Sequence, residues 1–113
     1  MSAKIILLVD DEDSIRVFVK AILVRQYDVL EAANGNEALA IVKRVNGAVD
    51  LLVTDIRMPG MNGYELAEVV RRSYPSLPVV YISGYVTNED LTAHNQPQRG
   101  EAFLAKHSYR RRC

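Results

Sequence analysis

The chain has 113 residues, enough for one hydrophobic core and too few for two domains. Its 49% apolar and 25% charged content is ordinary for a globular protein, and 14 basic residues balance 14 acidic ones. That balance excludes a global field drawing in nucleic acid or an anionic membrane. No run approaches the roughly 20 apolar residues of a membrane helix, and the N-terminal apolar run is too short for a signal peptide. The single cysteine, Cys113, cannot form an internal bridge, which fits a reducing, cytoplasmic setting.

Ile5 to Val9 is an unbroken apolar run, the pattern of a strand buried on both faces. It ends in Asp10, Asp11, Glu12 and Asp13. Ser14 is positioned to cap a helix reaching about Gln26, with Ile15, Val19, Ile22 and Leu23 inward and Arg16, Lys20 and Arg25 outward. Tyr27 to Ala32 reads as a second strand and Asn34-Gly35 as a turn. Asn36 then caps a helix whose apolar face is Ala38, Leu39, Ile41, Val42 and Val45, closed by Asn46-Gly47.

Leu51 to Thr54 is a third buried strand, and Asp55 stands at its end before a loop punctuated by Pro59, Gly60 and Gly63. A helix from about Tyr64 to Ser73 carries Leu66, Ala67, Val69 and Val70 and stops before Tyr74-Pro75. Leu77 to Ser83 is a fourth strand, Asn88 to His94 a short helix, and 96–100 a loop. Ala102 to Ala105 is a fifth strand ending at Lys106. Strands alternate with helices throughout. Parallel strands need helical crossovers, so the alternation predicts a doubly wound α/β sheet.

In such a sheet, chemistry sits just beyond the carboxyl ends of the strands. Asp55 alone reads as a turn cap. Yet Asp10 and Asp11, Asp55, Ser83 and Lys106 follow four different strands, and parallel strands place them all at one edge. Clustered carboxylates are costly to keep ionised without a counter-charge. A hard divalent cation such as Mg²⁺ supplies one, and it favours one or two carboxylates with waters and a phosphoryl group. A hydroxyl donor and a lysine can stabilise the oxygens of a transferring phosphoryl group, leaving one carboxylate as nucleophile.

The blocks Val9-Asp10-Asp11-Glu12, Asp55-Ile-Arg-Met-Pro59-Gly-Met-Asn-Gly63, Ser83-Gly84-Tyr85 and Phe103-Leu-Ala-Lys106 resemble, in order and spacing, those of response-regulator receiver domains. The resemblance covers residues 4 to about 106. It implies a flavodoxin-like five-stranded parallel sheet of order 2-1-3-4-5, with a receiver domain over 1–106 and a short, frayed basic tail over 107–113. It implies that Asp55 accepts a phosphoryl group from a sensor histidine kinase or phosphotransfer protein. It gives Mg²⁺ to Asp11 and Asp55, with Asp10 acting mainly through water and the Arg57 carbonyl completing the protein's ligands. Ser83 and Lys106 would contact phosphoryl oxygens, Ser83 and Phe103 would form the conformational switch, and Arg57 and Tyr85 would tune the rate of hydrolysis. The only catalysis expected is of the protein's own phosphorylation and dephosphorylation.

The match ends after Lys106. The family has a proline and a fifth helix there, whereas His107-Ser-Tyr-Arg-Arg-Arg-Cys113 has no apolar periodicity. A missing or truncated fifth helix would leave apolar surface for a partner or a second copy. The short region around the fourth helix resembles receivers attached to sensor kinases. His94 and His107 read as solvated residues and Met58 and Met61 as loop packing. The alternative function is a degenerate receiver serving as a phosphorylation-independent interaction module, against which the retained acidic, hydroxyl and lysine set argues. An aspartyl phosphatase would carry a second acid where Arg57 stands, and no Gly-rich phosphate loop follows the first strand. Neither membrane insertion nor direct nucleic-acid contact is expected.

Overall fold

The computed structural model describes residues 3–83 and 101–105, with the side chains of Ala102 and Phe103 in the last segment. Its elements in chain order are β1 (Ile5–Val9), α1 (Asp13–Leu23), β2 (Asp28–Ala32), α2 (Gly35–Arg44), β3 (Leu51–Asp55), α3 (Gly63–Ser73), β4 (Val79–Ser83) and β5 (Glu101–Ala105). All strand pairs are parallel and the sheet order is β2-β1-β3-β4-β5, the flavodoxin-like arrangement. The chain crosses from β1 out to β2 and then returns past β1 to β3, so the order reverses between β1 and β3. That reversal is where an open α/β sheet forms its crevice.

Alternate residues of each strand face opposite sides. Leu7, Val9, Leu52, Val79 and Tyr81 join Ala38, Ile41 and Val42 of α2 and Leu66, Ala67 and Val70 of α3 in the larger core cluster. Ile6, Leu8, Val53 and Ile82 form a smaller cluster on the other face, packed by Ile15, Val19 and Leu23 of α1. Burial on both faces explains why β1 and β3 read as continuous apolar runs. Among the described residues, no helix is long and apolar enough to cross a membrane.

The helix starts differ from the sequence expectation. The N-cap of α1 is Glu12, not Ser14, and the Glu12 side chain makes no capping hydrogen bond to the helix. The helix closes at Leu23 and its last residues before β2 form turns. The cap of α2 is Asn34, not Asn36: its Oδ1 accepts from Glu37 N at 2.8 Å, while Ala33 N donates to Glu37 Oε1 at 2.8 Å. Asn34 is the first residue after β2 whose side chain can accept from a helical amide, and Glu37 braces the same turn. Asn46 and Gly47, with φ of 54° and 74°, terminate α2 as expected.

Helix α1 also presents a different face. Val17, Phe18 and Ile22 are 65%, 59% and 57% exposed, although Ile22 reads as inward from the sequence. Arg16, expected outward, has a side chain only 16% exposed. Its Nη1 donates to the Asp10 carbonyl at 2.6 Å and its Nη2 to Asp13 Oδ1 at 2.6 Å, so polar acceptors at the end of β1 hold it in. The expected fourth helix over 88–94, the loop over 96–100, the tail over 107–113 and the fifth-helix position lie outside the described residues.

Candidate acidic site at the carboxyl edge of the sheet

Three strand ends meet where the sheet order reverses. Val9 pairs with Thr54, so Asp10 follows β1 directly beside Asp55, the last residue of β3. Asp55 pairs with Ile82, which places Ser83 one step further along the neighbouring strand. Asp10, Asp55 and Ser83 are all buried, whereas Asp11 is exposed at the rim. One carboxylate oxygen from each of Asp10, Asp11 and Asp55 lies within 4.8 Å of the others.

The local backbone fixes these positions. Asp10 N donates to the Ala32 carbonyl at 3.1 Å, and Asp10 Oδ1 accepts from Glu12 N at 2.8 Å. With Arg16 on its carbonyl, Asp10 is held from three directions. Arg16 also lies 3.5 Å from Glu31, to which Lys20 Nζ donates at 2.6 Å. The Lys20 hydrogen bond chiefly lowers the Glu31 pKa from its usual 4.5; burial opposes this, and the charges of Lys20 and Arg16 assist it. Burial works to lower the Arg16 pKa, but Asp13 and Glu31 outweigh it and leave it raised. The guanidinium stays charged.

On the other side of the site, the loop after β3 folds back so that Gly63 N donates to the Ile56 carbonyl at 2.8 Å. A Cβ on Gly63 would lie 2.2 Å from the Asp55 carbonyl oxygen. Only glycine lets α3 begin so close to the strand end. Asn62 and Glu65 form a reciprocal capping box at 2.9 Å each way, fixing that start. Gly60, with φ of 76°, makes the turn.

Two carboxyl groups buried together are unfavourable as ions unless a cation or donor compensates. The donor set is entirely hard oxygen, the chemistry preferred by Mg²⁺ or Ca²⁺, and it could hold such an ion. Arg57 stands on the outer side of the loop and its Nη1 donates to Ser83 Oγ at 3.0 Å. Phe103 of β5 stacks on Tyr81 at 5.2 Å between ring centroids and meets Tyr64 edge-on at 6.2 Å; Tyr64 and Tyr81 are 4.9 Å apart. These rings pack against the larger core cluster.

The structure therefore gathers Asp10, Asp11, Asp55, Ser83 and Arg57 at one edge, and places Phe103 in an aromatic group behind it. Lys106 and Tyr85 lie outside the described residues. Met58 is buried in the larger cluster and Met61 packs against it, as loop packing requires. Sequence reading missed the Arg57–Ser83 bond, the Arg16 clamp on Asp10 and the capping box. The Asn62-x-x-Glu65 spacing carried a signal for the last. The two arginine contacts had none.

A family model described as the response regulator receiver domain matches residues 6–112. The chain is 43% identical over 103 residues to the sensor kinase CckA of Brucella abortus, a match covering 89% of this chain. It spans 11% of that kinase's length, and from 12% to 38% of several other sensor kinases and transcriptional regulators to which it is similar. Among solved structures, it resembles the receiver domain of the hybrid histidine kinase CckA with a TM-score of 0.74 and 40% identity, covering 90% of this chain and 84% of the other. A response regulator receiver protein from Sinorhizobium medicae gives a TM-score of 0.79 at 32% identity, covering 92% of this chain and 82% of the other.

Proposed function

Because this chain belongs to the response regulator receiver domain family of two-component systems, we propose that Asp55 is its phosphoacceptor. The observation that carries this reading is the convergence of the Asp10, Asp11 and Asp55 oxygens around a buried Asp55 at the reversal of the sheet. A carboxylate oxygen of Asp55 attacks the phosphorus of a phosphohistidine on a sensor kinase or phosphotransfer protein. The new O–P bond forms as the N–P bond breaks, and the imidazole nitrogen keeps the electron pair. Catalysis of this kind consists mostly of positioning and charge stabilisation.

Asp10, Asp11 and Asp55, with the Arg57 carbonyl, would hold Mg²⁺, which when bound neutralises charge on the carboxylates and the phosphoryl oxygens. Ser83 would donate to a phosphoryl oxygen, and Lys106 would pair with another. Phe103 would repack among Tyr64 and Tyr81 as Ser83 engages the new group, a packing switch biased by a local charge. The protein catalyses only its own phosphorylation and dephosphorylation, and its setting is the cytoplasm. Similarity to the receiver portions of sensor kinases supports a kinase or relay protein as partner.

Intact mass after incubation with acetyl phosphate tests this. A phosphoryl adduct that requires Mg²⁺ and disappears in Asp55→Asn is the expected result. No adduct, together with no beryllofluoride binding, would reduce the domain to an interaction module.

A further inference from the structure

We infer that Arg57 is a positioning residue that acts through Ser83, orienting the hydroxyl so that its hydrogen is available to the phosphoryl group on Asp55; this rests on the phosphoacceptor reading above. The carrying observation is the 3.0 Å bond from Arg57 Nη1 to Ser83 Oγ, which joins residues 26 apart in sequence. Arg57 is exposed, and Ser83 beneath it is buried at the end of β4.

A serine hydroxyl has one hydrogen and two lone pairs, and left alone it rotates to whichever acceptor lies nearest. A guanidinium has five hydrogens and no lone pair, so in the Arg57–Ser83 bond the serine can only accept. A hydroxyl hydrogen turned toward Arg57 would face another hydrogen. The bond therefore closes off the outward rotamers and directs the Ser83 hydrogen back along the strand edge, where Asp55 ends the adjacent strand. Accepting from a cation also polarises the O–H and makes it a better donor, because linked hydrogen bonds strengthen one another. Arg57 takes a lone pair of the hydroxyl and leaves its hydrogen for the phosphoryl group, so the two do not compete for it.

This differs from a direct effect of the Arg57 charge on the phosphoryl oxygens. A direct effect would survive removal of the Ser83 hydroxyl; an effect carried by Ser83 would not.

The test is a double-mutant cycle on the Mg²⁺-dependent rate of phosphorylation by acetyl phosphate, read by intact mass, using the parent, Arg57→Met, Ser83→Ala and the double variant. In the labelling reaction Asp55 takes the phosphoryl group and acetate leaves with the electrons of the broken P–O bond. Loss of the Ser83 donor should slow labelling on the order of a hundredfold, as for one preorganised oxyanion donor. Arg57→Met should slow it about fivefold, a fraction of the factor for losing a charge-assisted bond because Arg57 is exposed. In the Ser83→Ala background the same Arg57→Met change should alter the rate by less than about twofold. Beryllofluoride affinity should show the same non-additivity. An equal factor in both backgrounds, or no effect of Arg57→Met on the parent, overturns the inference while leaving Asp55 as acceptor. Failure of the parent itself to form the adduct or bind beryllofluoride overturns the phosphoacceptor reading and the inference with it.

Discussion

Replacing Gly63 by alanine tests how α3 is seated against the site. The new Cβ would stand 2.2 Å from the Asp55 carbonyl oxygen, 0.8 Å inside the 3.0 Å below which such contacts essentially never occur. It would also lie 3.1 Å from Asp55 C and Ile56 Cα, so the obstacle is backbone and no side chain can swing aside. Overpacking typically costs about 1–3 kcal/mol, and an unyielding central strand places this case near 3. Alanine recovers about 0.5–1 kcal/mol through its better helix propensity. The net loss is then about 2 kcal/mol. With unfolding entropy of about 2.1 cal/mol/K per residue, a chain this long should lose roughly 8 °C in Tm. Urea denaturation followed by far-UV circular dichroism measures the free energy, and a thermal melt measures the shift. Gly60→Ala is the comparison: nothing lies within 4 Å of its Cβ, so only the φ of 76° is strained, at about 1 kcal/mol. A Gly63→Ala protein within 0.5 kcal/mol of the parent, or one more stable than Gly60→Ala, would refute the close-approach argument.

The depressed Glu31 pKa makes stability depend on acidity in a definite direction. The stabilisation from its ion pairs is complete above the usual 4.5 and is lost as pH falls through the lower folded value. Glu31→Gln should therefore be less stable near neutrality and lose less stability on acidification below pH 4.5; parallel stability profiles in the two proteins would contradict this. Phe18→Gln should change the unfolding free energy by no more than about 0.5 kcal/mol, because the ring is already 59% exposed. A loss above about 1 kcal/mol in urea denaturation would mean that the ring is covered.

The strands were legible because both faces of β1 and β3 are buried, which leaves an unbroken apolar signature with sharp ends. The acidic site was legible for the same reason: once the strand ends are known, parallel topology alone brings Asp10, Asp11 and Asp55 together. Helix starts were less so. Asp13 and Ser14, like Asn34 and Asn36, are neighbouring residues able to cap, yet α1 starts after Glu12 and α2 after Asn34, and no local pattern separates these alternatives. The outward face of α1 was misread at Ile22 and Arg16 because periodicity reports an apolar stripe, not which part of it a neighbour covers. The arginine contacts were beyond reach. A side chain with several rotatable bonds can find acceptors far away in sequence, and no spacing rule encodes Arg57 meeting Ser83.

Helix α1 has no buried residue, while Arg16 at its first turns grips the carbonyl of Asp10. It is held by partly buried apolar contacts and by that polar clasp, so its amides should exchange with solvent through local opening, well before those of β1 and β3 beneath it. Each opening also releases the Asp10 carbonyl. Whatever settles among the carboxylates and favours the fastened Asp10 must, by linkage, slow exchange along the helix. Occupancy of the site can thus be read on a surface that the occupant never touches.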